Sequence, residues 1–119
     1  WSAGAQSIAS QQDTIASLKL QLEDAKTTVK ANTQNYLMKV QQSKASLSLR
    51  QKSIDLAQKT YDMSLTAYNH GTKDLLSLQT ASDNLLQAKV NLMHEAYTLS
   101  SAILDLENTI GVPFGTLSK

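Results

Sequence analysis

Ile8, Ile15, Leu22, Val29 and Tyr36 stand seven residues apart, with Leu18 and Ala25 between them as a second seam position. Such a repeat is the heptad signature of a helix that winds against another helix. After Tyr36 the spacing jumps by four residues, and Val40, Leu47, Ile54, Tyr61 and Tyr68 carry the repeat onward. A four-residue insertion is a stutter, which locally unwinds the supercoil. Leu49, Leu56 and Met63 form a further row two positions ahead of that seam, so this half of the helix has apolar material on two faces and needs two neighbours. Beyond residue 73 the pattern returns: Leu78, Leu85, Leu92, Leu99 and Leu106 form one row, Ala96, Ile103 and Ile110 the adjoining one, and Leu86 with Met93 extends a flank.

Breakers delimit these rows. Neither Gly nor Pro occurs between Gly4 and Gly71, nor between Gly71 and Gly111. The expected elements are therefore two uninterrupted helices, over 5–69 and 73–110, about 97 Å and 57 Å long. Between them His70-Gly71 is the one strongly helix-hostile pairing. Gly71 can take the left-handed conformation that closes a helix, Asn69 and His70 tolerate irregular backbone, and Thr72 can cap the second helix with Lys73 and Asp74 in its first turn. The fold class this implies is all-α: a long antiparallel coiled-coil hairpin with unequal arms. About 27 residues at the start of the longer arm have no partner in the hairpin.

Composition narrows the function. The 119-residue chain suits one small domain, and its formal charge of +1 argues against a nucleic-acid binder, which carries a clustered basic face. Ser, Thr, Gln and Asn make up about a third of the residues, which suits a helix bordering water. Cysteine is absent, so disulfide and thiolate chemistry are not expected. No apolar run approaches the roughly 20 residues that a bilayer span requires. The opening "WSAGAQ" reads as the start of a mature segment or of a piece of something larger. An enzyme is not expected. His70 and His94 lie about 32 Å apart on a hairpin of this kind, too far to share a metal. No phosphate-binding loop or nucleophile motif occurs, and no cofactor is expected. Asp55, Asp62, Glu95 and Asp105 read as solvated helix faces.

The stretch "AYNHGTKDLLSLQTASDNLLQAKVNLMHEAYTLSSAILDLENTIG" resembles the second-repeat hairpin of the TolC family of outer-membrane efflux proteins. The family pattern runs Tyr, two variable residues, Gly-Thr and a basic residue, then "ldvLdA" and "LlqAk.nl..A.Y....a...L...iG". Tyr68, Gly71, Thr72, Lys73, Leu75, Leu76, Leu78, Ala81, Leu85, Ala88, Lys89, Ala96, Tyr97, Leu104, Leu106 and Gly111 fall on it in register. "WSAGAQSI" is similar to the family's approach from an outer-membrane strand into the long helix, and "GVPFGTL" to its exit toward the equatorial region. The resemblance thus implies residues 1–4 as that approach, 5–69 as the long periplasmic helix, 70–72 as the tip, 73–110 as the returning helix and 111–119 as the exit.

What the family implies is a tunnel segment. Three protomers would form a twelve-helix α-barrel in the periplasm of a Gram-negative bacterium, of which this hairpin is a fragment, joined to the outer membrane through β-strands outside this chain. The tip would be a gated entrance that opens when a periplasmic adaptor docks, so that an inner-membrane pump acting through the adaptor can export its cargo by efflux or type I secretion. The resemblance assigns gate roles to Tyr68 and Lys73, and adaptor contact to Asn69, His70, Gly71 and Thr72. Each has a plainer reading as a plug under a turn, a solvated lysine, or turn and cap chemistry. Pore-constriction candidates are Asp74, Ser77 and Thr80; Ser77 and Thr80 occupy positions where many relatives carry aspartate, so an acidic ring is in doubt and weaker cation preference is expected. The competing class is a non-conducting coiled-coil hairpin of a periplasmic adaptor or structural scaffold protein. Arg50 and Ile54 do not reproduce the adaptor tip signature of Arg, Leu and Ser, while a plain coiled coil gives no reason for the Tyr-x-x-Gly-Thr-Lys turn.

Overall fold

A computed structural model describes residues 2–119 as two helices, α1 over Ser2–Asn69 and α2 over Leu75–Ile110. They fold against each other as a hairpin measuring 102 × 26 × 16 Å. Its radius of gyration of 27.6 Å is about twice the ~14 Å of a compact domain of this length. An apolar stripe on such a rod is therefore either covered by the opposite arm or left in water.

The stripes divide along that line. Val40, Ala102 and Leu106 form a buried cluster, with Tyr36, Leu99 and Ile103 packed on it, while Ala81 and Leu85 are buried nearer the tip. Leu47, Ile54 and Tyr61 are half-buried, as are Leu78 and Leu92, so the expected seams are the ones that meet. Ser43 and Ser64 are also buried in α1, at positions where apolar spacing gave no signal. Residues 2–32 are exposed throughout, Ile8, Ile15, Leu18, Leu22 and Val29 included. The unequal arms leave this stretch with nothing to pack on.

Two boundaries differ from expectation. Ser2, Ala3 and Gly4, expected as the approach before the helix, form the first turn of α1; Trp1 lies outside the described residues. The second helix begins at Leu75 and its N-cap is Asp74, not Thr72. Thr72 is spent on the first helix instead, since both its N–H and its hydroxyl donate to Ala67 O, at 2.9 and 3.0 Å. After α2, residues 111–119 turn into a short hook.

The hairpin tip as candidate functional site

α1 ends because Gly71 adopts φ +75°. Gly71 N–H donates to Tyr68 O at 2.9 Å and Thr72 N–H to Ala67 O, which is the paired closure of a Schellman motif. His70 adds to it: its backbone N–H donates to Thr66 O at 3.1 Å, and Nδ1 lies 2.7 Å from the same oxygen, at donor distance in the Nδ1–H tautomer. The carbonyls that a helix end leaves without partners are thus met by the turn itself. Two residues on, Asp74 takes extended backbone and its carboxylate accepts from Ser77 N–H at 2.9 Å. The Ser77 side chain first, and then this N–H, hold the Asp74 carboxyl below its ordinary value of 3.8. Five residues, 70–74, reverse the chain with both helix ends capped.

The residues singled out from sequence fall on this turn. Tyr68 is 39% exposed, and its carbonyl serves the Gly71 N–H while the ring stays at the surface. Lys73 is exposed, and among the described residues it joins no ion pair. Tyr68 and Lys73 flank the turn without bonding to each other, so any closing contact from either must come from outside the hairpin. Asn69, His70, Gly71 and Thr72 are exposed together at the apex. The constriction candidates separate: Asp74 is engaged as the cap, Ser77 is half-buried beside it, and Thr80 is exposed a turn further on. Sequence reasoning missed an open groove beside the apex, lined by Asp62, Met63, Thr66, Ala67, His70 and Thr72. Of its lining, His70 and Thr72 were named from sequence as apex residues, and Met63 belongs to the second apolar row of α1.

That row identifies the other surfaces of interest. Leu49, Leu56 and Met63 are 64 to 72% exposed, and on α2 Leu86, Met93 and Tyr97 are 62 to 72% exposed. Leu49 lies two residues, about 200°, beyond Leu47, and Leu86 and Met93 one residue, about 100°, beyond Leu85 and Leu92. These rotations put the α1 row on the side of α1 turned away from α2, and the α2 row on a flank of the hairpin. The rows also correspond in height. Leu47 and Gln51 border the same groove as Leu92 and Ala96, and Ala57 and Thr60 border one with Asn84. This register sets Leu49 level with Met93 and Leu56 level with Leu86; Tyr97 stands a turn beyond Met93 along α2.

Charge is divided between the helices as well. Residues 25–54 hold Lys26, Lys30, Lys39, Lys44, Arg50 and Lys52 and no acid, while residues 90–118 hold Glu95, Asp105 and Glu107 and no Lys or Arg. Among the described residues the only ion pair is Lys26 with Glu23, at 3.5 Å on one helix, so these opposed charges do not pair within the hairpin. The described residues contain no group of three potential metal-binding side chains and no helix long and apolar enough to cross a membrane. Taken together, the class these features define is an extended α-helical hairpin with a capped tip and an exposed apolar row on each helix. No protein-family model, curated protein or solved structure matches the chain significantly.

Proposed function

We propose that this hairpin is the periplasmic tunnel segment of a TolC-like outer-membrane channel for efflux or type I secretion, its tip forming a gated entrance and adaptor docking site. The observation that carries this reading is the pair of exposed apolar rows outside the seam, Leu49, Leu56 and Met63 on α1 and Leu86, Met93 and Tyr97 on α2. A hairpin that serves only as a spacer needs one seam. One with a further row on each helix behaves as a stave, satisfied when a neighbour stands on each side, and staves set side by side enclose a lumen. The charge division favours the same arrangement, because the basic stretch of one helix would meet an acidic stretch across an edge.

In this reading the complete protein is a homotrimer whose β-strands, outside this chain, cross the outer membrane. A periplasmic adaptor docks at Asn69, His70, Gly71 and Thr72, and the pump of the inner membrane engages through it. Tyr68 and Lys73, exposed and without side-chain partners in the hairpin, hold the entrance closed through bonds to neighbouring hairpins. The test is single-channel conductance of the complete polypeptide in a planar bilayer. Replacing Tyr68 by Phe and Lys73 by Ala should raise the open probability of a conducting trimer. A protein that never conducts would leave a hairpin that only binds, as in an adaptor or scaffold.

A further inference from the structure

Glu107 is the most deeply buried large side chain of the hairpin, 2% exposed, and it lies in the last turn of α2. Both facts weigh against a carboxylate there. Burying a charge is costly without partners, and the carboxyl end of a helix favours cations. No basic residue stands in that turn, and among the described residues no cation reaches Glu107.

What Glu107 has instead is the following backbone. Its carbonyl accepts from Gly111 N–H and from Val112 N–H, the latter at 3.1 Å, and its Oε2 accepts from Gly115 N–H at 2.6 Å. One residue thus takes three N–H groups from the five residues after the helix. Gly111 at φ +74° and Gly115 at φ +86° supply the left-handed steps that aim these groups inward. Thr116 closes the intervening turn through its N–H and hydroxyl, both donating to Pro113 O. The result folds the chain back so that Phe114 and Ser118 border one cavity with Ser100, Ile103, Leu104 and Glu107. Ser100 lies seven residues before Glu107, so the return runs about 10 Å back along α2.

We propose that the Glu107 carboxylate is a latch that holds residues 111–119 as a hook against the Ser100–Leu104 side of α2, and so sets the direction in which the chain leaves the hairpin. Gly111 and Pro113 end the helix by themselves. They do not choose where the chain goes next, whereas a charged acceptor anchored in the packed side of α2 does. The assignment stands on the hook alone and does not depend on the tunnel reading.

Amide hydrogen exchange of the 119-residue chain, read residue by residue by NMR, tests it. Glu107→Gln keeps the shape and removes the charge, and should speed exchange at Gly115 about tenfold, the difference between a charged and a neutral acceptor. Glu107→Asp keeps the charge but is one methylene short of Gly115, and should lose protection at least as far. Protection at Leu106, in the helix itself, should be retained in both, so that a general loosening of α2 is told apart from release of the hook. Unchanged Gly115 exchange in Glu107→Gln, or protection retained in Glu107→Asp, would overturn the latch.

Discussion

Two residues of the tip carry opposite kinds of constraint. Gly71 is demanded by backbone geometry, because φ +75° is strained for any side chain although no atom lies within 4 Å of where its Cβ would stand. Gly71→Ala should therefore cost about 1 to 2 kcal/mol from strain and not from a clash, measurable by chemical denaturation. Asp74 is demanded by hydrogen bonding. Because its folded carboxyl is held below the ordinary value of 3.8, the stabilisation is fully present above that value and is lost as pH falls through the lower folded one. Asp74→Ala should fray the first turn of α2, seen as faster amide exchange at Ser77 at neutral pH, while Asp74→Asn keeps a cap and loses the acid-dependent component. Asp74 keeps its charge in the cap, so any weakening of cation preference rests on the two neutral candidates. With Ser77 and Thr80 uncharged, the proposed pore should show weak cation preference in reversal potentials across a salt gradient; strong preference in the unaltered pore would refute this.

At the scale of the helix, residues of one chemical type have different values by position. Leu106 and Leu85 are buried between the arms, so Leu106→Ala should destabilise the hairpin by about 2 to 3 kcal/mol, at the lower end of core truncations because the rod buries so little else. Leu56 is as apolar but 67% exposed, and Leu56→Ser should change the stability of the lone hairpin by less than about 0.5 kcal/mol. Its effect should appear on lateral association instead. Comparing urea unfolding of both variants with the assembly of the complete protein separates the two classes of seam. The second α1 row was readable from its seven-residue spacing, and the need for a second neighbour followed from it. Ser43, Ser64 and Glu107 were not readable in this way, because polar residues are buried here by helix approach and hook geometry, to which apolar periodicity is blind.

The whole molecule is a 102 Å rod with a packed half and a bare half. Residues 2–32 form nine turns of helix without tertiary support, although helix stability in proteins comes mostly from packing an amphipathic face. The bare stripe of Ile8, Ile15, Leu18, Leu22 and Val29 should drive the 119-residue chain to self-associate so that the stripe is covered. Sedimentation equilibrium with circular dichroism checks this, and a strictly monomeric, fully helical species would contradict it. Within the complete protein of the proposed reading, a further helix would cover the same stripe.

The heptads and the placing of Gly71 and Gly111 were enough to determine two helices, their unequal lengths, the reversal at the tip and the seam that joins them. This is because helix periodicity and glycine's access to positive φ are local properties, written wherever the residues stand. Which residue caps α2 was not legible in the residue types, since Thr72 and Asp74 are both competent; the backbone geometry of the turn settles it, with the Thr72 hydroxyl on Ala67 O and Asp74 on Ser77 N–H. Tertiary structure alone set Leu49 level with Met93 and Leu56 with Leu86. That relation joins positions far apart along the chain and comes into being only when the arms close, whereas Gly115 reaches Glu107 within eight residues through the hook's own turns.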